Sequence, residues 1–340
     1  MTTGRKGLIR SASLTNFAAV ARGAGLDPVR LLSEFGLPQR CLRDPDLMVP
    51  LDAVRAMIEA SAERSGVEAF GLLMAETRQL SNLGPVGLLV REQPTLRLAI
   101  DALARYTRKL NEALFLTIED SGSVVVLREE IIVGHSGPIR QATELAIGVV
   151  FRMLRAFLGA AWQPLRVCFA HDAPADRSVH ERVFGRNVEF GHDFNGIVCA
   201  RRDVDAPNPI ADPAMARYAR QLVETSVGGE ATDTAQQVRE LVVTLIGTGR
   251  CTVSQVAQHL GVDRRTVHRH LASEGETFSS IVDAVRRELA ARYMKNRGRT
   301  LAEVSSLLGF SAPSGFSRWY RRQFSNRASH ARPTRRRATG

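Results

Sequence analysis

Two stretches near the carboxyl end of the chain repeat one pattern of apolar and polar positions. The first follows Thr252 and the second follows Thr300, 48 residues later. In both, apolar or small side chains recur at the spacing of one helix face, which predicts a short helix with a buried stripe. The stripe positions are Val253, Val256, Ala257 and Leu260 in the first stretch, and Leu301, Val304, Ser305 and Leu308 in the second.

Each short helix carries signals for its start and for the turn that ends it. Thr252 with Gln255, and Thr300 with Glu303, fit the capping box, in which a hydroxyl and a longer polar side chain satisfy amides at a helix start. Glycines at matching places predict tight turns, because a left-handed residue costs least as glycine. The turn glycines are Gly261 and Gly309, and the N-caps predicted for the next helix are Asp263 and Ser311.

The helix after each turn has an apolar side and a basic or hydroxylated side. Val267 and Leu271 form the apolar side of the first helix, and Phe316, Tyr320 and Phe324 form that of the second. Each unit therefore reads as a helix-turn-helix, whose second helix can enter a major groove and contact base edges through Arg, His and Ser. The candidate DNA contacts are Arg264, Arg265, His268, Arg269, Ser314, Ser317, Arg318, Arg321 and Arg322.

A continuous amphipathic stretch from Phe278 to Asn296 joins the two units. Gly275 before it and Gly298 after it predict its ends. As a helix it would span about 28 Å. That length suits two recognition helices lying in successive major grooves, about 34 Å apart on one face of a duplex. Its apolar positions at helical spacing are Phe278, Ile281, Val282, Val285, Leu289 and Tyr293.

This part of the chain, roughly residues 235–332, resembles the DNA-binding domain of the AraC/XylS family of transcriptional regulators. The resemblance rests on the turn Leu308-Gly309-Phe310-Ser311, on the run from Phe316 to Phe324, and on Arg286-Arg287-Glu288-Leu289-Ala290 in the joining helix. We expect Arg321 and Arg322 mainly to hold phosphates and not to read bases. The positions that the resemblance implies for reading bases are Arg265, His268, Arg269, Ser314, Ser317 and Arg318.

The first 205 residues mix helical and strand patterns, which predicts an α+β domain. Residues 1–12 read as a loose arm, and the segment 83–87 breaks the helical pattern. A Glu-Asp-Ser-Gly turn at 119–122 between two apolar runs predicts a hairpin of residues 114–118 and 124–127. The predicted helices are 14–24, 28–35, 50–64, 70–78, 95–109, 139–159 and 176–184, and the further strands are 165–169, 188–190 and 196–200.

A proline-rich stretch of little apolar content, 203–213, marks the boundary between the two halves. After it we expect helices at 214–224 and 234–246, with Val227-Gly228-Gly229 as a flexible joint between them. The predicted fold is an α+β N-terminal regulatory domain followed by an all-α DNA-binding domain with two helix-turn-helix units joined by a linker helix. The predicted domains are 1–205 for effector binding and dimerisation, 206–230 as linker, 231–332 for DNA binding, and 333–340 as a basic tail.

The N-terminal half also resembles, more loosely, the regulatory domain of one branch of AraC-type regulators, described as arabinose-binding-like. The elements Leu83-Gly84-Pro85-Val86-Gly87 and Phe184-Gly185 with Val188-Glu189-Phe190 carry this resemblance. It implies binding of a small-molecule effector and formation of a homodimer, and it fixes no ligand.

The charge of the chain is concentrated in its carboxyl part. The net charge is +11, and the residues from Arg250 onward include 18 basic and 6 acidic side chains. The remaining residues are close to neutral, with 28 basic and 29 acidic side chains. A surface that binds phosphates needs such an excess of positive charge, so double-stranded promoter DNA is the expected partner.

The cysteines and the hydropathy pattern indicate the compartment. Cys41, Cys168, Cys199 and Cys251 are scattered and form no CxxC pair, which is typical of a reducing cytoplasm. The most apolar stretch, 147–158, contains two arginines and is too short to span a bilayer. We therefore expect a cytoplasmic protein without a signal peptide and without a membrane partner.

The usual signatures of enzyme chemistry are missing or incomplete. The sequence contains no glycine-rich nucleotide loop of either common type. His180-Glu181 begins like a zinc-protease helix, but Phe184 stands where the second histidine belongs. His171-Asp172 and His192-Asp193 are isolated pairs, more typical of hydrogen-bonding loops than of an acid–base site. We expect no catalytic residue, no metal site and no cofactor.

Taken together, the sequence predicts a sequence-specific transcription factor that regulates promoters in response to a small molecule, with RNA polymerase as a possible further partner. Two alternatives remain open at this point. One is an architectural DNA-binding protein without an effector, and the other is an enzyme that carries a DNA-binding module.

Overall fold

The structure is a computed structural model that describes residues 7–131, 137–227, 234–247, 251–260, 262–294 and 299–324. Its contacts separate two compact units, Met1–Gly229 and Glu230–Gly340. The first unit combines helices with a sheet, and the second contains helices in its described residues. The predicted order, an α+β domain followed by an all-α domain, is confirmed.

A short strand pair fixes the start of the first unit. Strand β1, Leu8–Arg10, pairs antiparallel with strand β2, Met48–Pro50. Ile9 enters the core and Arg10 forms an ion pair with Asp46. The prediction of a loose arm was therefore wrong for residues 7–12, because the pairing partner lies about 40 residues away and leaves no local signal. Residues 1–6 lie outside the described residues.

Five of the first six helices lie close to the predicted ranges, and the fifth was not predicted. Asp27 caps the second of them, accepting the backbone N–H groups of Val29 and Arg30, and Thr95 caps the sixth. The helix bounds are α1 Phe17–Gly23, α2 Pro28–Glu34, α3 Leu51–Ser65, α4 Phe70–Ala75, α5 Pro85–Arg91 and α6 Leu96–Leu110.

The predicted break at 83–87 is only partly right. Gly84 has φ +61°, a left-handed conformation that favours glycine. Helix α5 nevertheless begins at the next residue, because Pro85 suits the first position of a helix. The break is thus confined to Gly84, and Val86 is buried in the core.

One sheet organises the second half of the first unit. Its strands are β3 Leu114–Ser121, β4 Val124–Ile131, β5 Arg166–Cys168, β6 Val188–Glu189 and β7 Asn195–Ala200. Their order in the sheet is β3-β4-β7-β5-β6, and β5 pairs with β6 in parallel while the other neighbours are antiparallel. The predicted hairpin is confirmed, but its strands run on through Ser121, so the turn is shorter than expected.

The longest helix of the described residues in this unit packs its apolar face on the sheet and on α4. This helix is α7, Arg140–Leu158, and Phe151 and Leu154 on it are fully buried. Gly71 and Gly148 permit the close approach of α4 and α7, since a Cβ on Gly71 would lie 2.0 Å from the Gln141 carbonyl oxygen. The remaining helices of the unit are α8 Ser178–Phe184, α9 Arg201–Val204 and α10 Pro213–Val227.

The segment predicted to be a linker is largely attached to the first unit. Asn208 donates through Nδ2 to the carbonyls of Arg91 and Gln93, at 2.8 and 2.9 Å. Helix α10 packs on α5 and buries Ala219 and Val223 in the core of this unit. The predicted boundaries, with a linker at 206–230, stay a prediction, but residues 213–227 are a packed helix and not a free connector. The joint at Gly228-Gly229 lies outside the described residues.

The second unit consists of six helices in its described residues. The joining helix predicted to end at Asn296 is observed to Tyr293, and residues 295–298 lie outside the described ones, as do Gly261 and the predicted tail at 333–340. The helix bounds are α11 Thr234–Ile246, α12 Val253–Leu260, α13 Arg264–Ser273, α14 Phe278–Tyr293, α15 Leu301–Leu307 and α16 Pro313–Phe324.

Candidate nucleic-acid interface

The first helix-turn-helix consists of α12 and α13. Val256 and Ala257 of α12 are buried, as are Val267 and Leu271 of α13. Asp263 caps α13 by accepting the backbone N–H of Thr266 at 2.8 Å, and this bond lowers the pKa of the Asp263 carboxyl. The predicted N-cap is confirmed, and the cap sets where the exposed face of α13 begins.

The exposed face of α13 carries the residues that the sequence assigned to DNA. Arg264, Arg265, His268 and Arg269 are all exposed, and Arg265 and Arg269 lie on the side of the helix opposite Val267 and Leu271. Positive side chains on an exposed helix face are available for phosphates and for guanine edges.

Helix α11 packs against α13. The carboxylate of Glu274 accepts the backbone N–H groups of Thr234 and Ala235 at 3.0 and 2.7 Å, which caps α11 with a residue that follows α13. An ion pair between Arg239 and Glu288 ties α11 to α14. Because of these contacts, α13 has a defined orientation relative to the joining helix.

The second helix-turn-helix consists of α15 and α16. Thr300 and Glu303 form the predicted capping box at the start of α15. Gly309 in the turn has φ +68°, and a Cβ there would lie 2.3 Å from the carbonyl oxygen of Ile246. The prediction of Ser311 as N-cap was wrong, because α16 begins at Pro313, two residues later, where a proline supplies the first helical position.

An aromatic cluster holds α16 in place. Phe316, Trp319 and Tyr320 are buried, and Phe310 from the turn packs on Phe316 at 5.8 Å between ring centroids. Burial also raises the pKa of Tyr320. The predicted stripe is confirmed for Phe316 and Tyr320. Phe324 was wrongly predicted to be buried: it is 36% exposed at the end of the helix, although its ring contacts those of Trp319 and Tyr320. Trp319 adds a buried side that faces α14.

Two charged residues of α14 anchor the second unit. Asp283 accepts the indole N–H of Trp319 at 2.8 Å. The Nε–H of Arg286 donates to the carbonyl of Leu308 at 3.0 Å, and its guanidinium lies 4.1 Å from the centroid of the Phe310 ring. Half-burial among these groups lowers the pKa of Arg286. Both residues are positioning residues for α16. Arg286 lay inside the joining-helix motif, whereas nothing local in the sequence marked Asp283.

The predicted DNA contacts of α16 differ in how freely they face solvent. Ser314, Arg318 and Arg321 are exposed, and Ser317 is half-buried. Arg322 lies 3.6 Å from Asp283, with 70% of its side chain exposed. A phosphate contact by Arg322 would therefore compete with, or add to, this ion pair.

Replacing Asp283 with alanine should destabilise the second unit by about 1–3 kcal/mol, because the indole N–H of Trp319 would be buried without an acceptor. Asp283→Asn should cost much less, since the amide oxygen can still accept this hydrogen bond. Urea unfolding of the full chain, followed by Trp319 fluorescence in a Trp162→Phe background, measures both. Equal losses in the two variants would show that the ion pair with Arg322 matters more than the indole bond.

The first unit contains a cavity of about 150 Å³ that is lined mostly by aliphatic side chains. Helices α3, α6 and α7 and strands β3 and β4 form its walls, all within the first unit. Such a concave, largely apolar site with a few polar groups is the usual form of a small-molecule site. Six of its wall residues are Val54, Ile58, Leu103, Leu116, Leu145 and Val150.

One cluster in the first unit has the residue types of a metal site. Ligand atoms of Cys168, Glu189 and His192 lie within 4.8 Å of one another. However, Arg166 lies 3.5 Å from Glu189, and burial raises the pKa of Cys168 to about 12. Both features oppose the thiolate and the free carboxylate that a metal would need. Of the two His-Asp pairs considered for acid–base chemistry, His192 contacts Asp193, and His171 instead lies 3.4 Å from Glu144.

Comparison with known proteins places both units. The family described as the arabinose-binding domain of AraC transcription regulators matches residues 25–208, and a helix-turn-helix domain family matches residues 256–333. The chain is 30% identical over 320 residues to the HTH-type transcriptional regulator VirS of Mycobacterium tuberculosis, covering 93% of this chain and 94% of that protein. It is 26% identical over 310 residues to the ornithine utilization regulator of Pseudomonas aeruginosa, covering 86% and 90%.

Among solved structures, the crystal structure of the transcriptional regulator CdpR from Pseudomonas aeruginosa aligns with a TM-score of 0.46 and 21% sequence identity. The alignment covers 94% of this chain and 96% of that one. No helix in the described part of the chain is long and apolar enough to cross a membrane.

Proposed function

Since this chain belongs to the AraC family of transcriptional regulators, with an arabinose-binding-type N-terminal domain and a helix-turn-helix DNA-binding domain, we propose that α13 and α16 are its recognition helices. In this proposal each helix enters the major groove of promoter DNA. Arg265, His268 and Arg269 contact bases from α13, and Arg264 holds a nearby phosphate.

From α16, the residues that read bases in this proposal are Ser314, Ser317 and Arg318, while Arg321 and Arg322 hold phosphates. The observation that carries the proposal is the common design of the two helices. Each turns a buried apolar stripe toward its unit and leaves exposed arginines on the other side. Because Arg can pair with guanine through two hydrogen bonds, while serine contacts several base edges, α13 should be the more stringent reader.

The first unit takes the role of effector sensor in this proposal. The aliphatic cavity supports it, because the cavity offers a concave, largely apolar site within a unit that carries little of the positive charge. We further propose that the protein acts in the cytoplasm as a homodimer formed through the first unit, and that it contacts RNA polymerase. We assign it no catalytic role, because the relatives that it resembles over most of its length are named as regulators.

The base-reading assignment predicts different effects for different arginines. Arg269→Ala and Arg318→Ala should each weaken binding by about 1–3 kcal/mol and relax the preference at one base pair, because a two-point contact with guanine is lost. The measurement is fluorescence anisotropy of the full chain with a duplex selected from random sequence, and with single-base variants of that duplex, at several salt concentrations.

Arg321→Ala is the matched control for these two variants. Loss of a phosphate contact should weaken binding to all duplexes alike and reduce the slope of log K against log salt by about one unit. If Arg269→Ala and Arg318→Ala behave like Arg321→Ala on every duplex, neither arginine reads bases.

A further inference from the structure

The apolar cavity of the first unit adjoins a second, strongly basic cleft. The cleft has a volume of about 300 Å³ and contains the side chains of Arg78, Arg152 and Arg155 in its wall. Arg78, Gln79, Leu83 and Val149 line both spaces, so cavity and cleft share one wall. No carboxylate is among the described residues that line the cleft. A ligand could therefore occupy both spaces, with chemically different ends in each.

Arg78 is the buried charge at this shared wall. Arg78 is only 5% exposed, and its two terminal nitrogens donate to the carbonyls of Ala12 and Ser13. Among the described residues, its Nε–H has no acceptor and no carboxylate lies within 4.0 Å of its side chain. Burial lowers the pKa of Arg78 to about 10, so it stays protonated at neutral pH. A buried cation without an acidic partner is costly, and a bound anion would compensate it.

The other two arginines extend this positive site toward the surface. Arg152 donates through Nε to the carbonyl of Arg78 at 3.3 Å. Arg155 donates to the carbonyl of Ala160 and lies over the ring of Phe151. Both are half-buried, so each guanidinium is held by the protein but remains accessible from the cleft. Three fixed guanidinium groups without an acid among them favour an anionic group.

The cavity itself selects for an apolar body. A sugar carries a hydroxyl on nearly every carbon, and burying these groups against aliphatic walls would leave most of them without partners. A cavity of about 150 Å³ is comparable in size to one that holds a six-carbon ring. Glu129 lines the cavity but not the cleft, and the cavity wall that contains it also contains Arg10, Arg55 and Arg78.

Resting on the proposed role of the first unit as sensor, we propose that its effector is a small amphipathic anion. An apolar body of about six carbons lies in the aliphatic cavity, and an anionic head group lies at Arg78, Arg152 and Arg155. The head group is a carboxylate or a phosphate ester, since the guanidinium groups suit both.

Isothermal titration of the full chain with four ring compounds of matched shape tests the proposal. They are cyclohexanecarboxylate, cyclohexyl phosphate, the neutral cyclohexanecarboxamide and the cationic cyclohexylmethylammonium. At least one of the two anions should bind about tenfold or more tightly than the amide and the ammonium compound, since a charge-assisted hydrogen bond is worth at least that factor. The tighter anion identifies the head group.

Substitutions of two arginines of the cleft provide a second test of the proposal. Arg152→Gln with Arg155→Gln should raise the Kd of the anion about tenfold and leave that of the amide unchanged. Arg202→Gln, at a side chain that is 90% exposed in the same unit, should change neither. The proposal is overturned if the amide or the ammonium compound binds as tightly as both anions, if none of the four compounds binds, or if the double variant keeps the affinity for the anion.

Anisotropy with labelled duplex on the same samples separates this proposal from the proposed function. If the chain binds the anion but shows no sequence-specific DNA binding, the proposed effector class stands and the proposed function is refuted. If the chain binds its duplex specifically but prefers the amide or the ammonium compound to the anions, the proposed function stands and the proposed effector class is refuted.

Discussion

Replacing Gly309 with alanine should destabilise the second unit by about 3 kcal/mol or more. Two costs combine at this position. Gly309 has φ +68°, and an L-residue in this region costs roughly 1–2 kcal/mol. In addition, the new Cβ would lie 2.3 Å from the carbonyl oxygen of Ile246, a backbone atom at the end of α11 that cannot move aside freely. Overpacking of this kind typically costs a further 1–3 kcal/mol or so.

Gly275 supplies the matched control. It has φ +75°, but no atom of the described residues lies within 4 Å of a Cβ built there. Gly275→Ala should therefore show only the conformational cost of roughly 1–2 kcal/mol. Urea unfolding of the full chain, monitored through Trp319 with Trp162 replaced by Phe, compares the two variants. Equal destabilisation would mean that the turn does not pack closely on α11.

Gly309→Ala should also weaken DNA binding. If α16 is displaced, its base contacts are lost together, which should weaken specific binding about 100-fold while binding through α13 remains. Gly275→Ala should bind DNA nearly as well as the unchanged chain. A Gly309→Ala protein with full specific affinity would show that α16 takes no part in recognition.

Replacing Glu144 with alanine should destabilise the first unit by about 3–5 kcal/mol. Glu144 is fully buried, and one of its carboxylate oxygens lies 3.0 Å from Nε of Arg140 and 3.2 Å from Nε2 of His180. Nε2 of His171 approaches the same oxygen at 3.4 Å. Removal of the carboxylate would leave these groups without their common partner at the start of α7, the helix that forms one wall of the cavity.

Glu181, which is exposed on α8, provides the control for Glu144. Glu181→Ala should change stability by less than about 0.5 kcal/mol, as is usual for surface positions. Thermal unfolding of the full chain measures both. Glu144→Ala should lower the transition of the first unit and leave specific DNA binding by the second unit detectable at low temperature. A loss as small as that of Glu181→Ala would mean that Arg140 and the two histidines find other partners.

The recognition half was predictable because its determinants are local. A capping hydroxyl, a glycine turn and an apolar stripe recur within a few residues of one another, and each of these short-range signals acts through the backbone beside it. Asp263, Thr300 and Gly309 therefore have the local roles expected for them. Ser311 failed as a cap because Pro313 competes for the first helical position, and the sequence alone did not decide between the two.

The remaining features depend on contacts between distant parts of the chain. Strand β1 forms because Met48–Pro50 lies beside it, and Asp283 matters because Trp319 lies 36 residues further along. The cavity and its arginine cleft combine residues from five or more elements, none of which has an unusual local sequence. A period of 3.6 or 2 in the sequence indicates which face of an element is buried but not which other element covers it.

Selection of binding sites from random duplex DNA tests the two-helix recognition most directly. The full chain should enrich half-sites that each contain two conserved blocks whose centres lie about one helical turn, 10–10.5 base pairs, apart, with one half-site for each protomer of the proposed homodimer. Arg269→Ala should lose information in one block only, and Arg318→Ala in the other. A motif with a single block, or two variants that alter the same block, would contradict the proposal that α13 and α16 read adjacent major grooves.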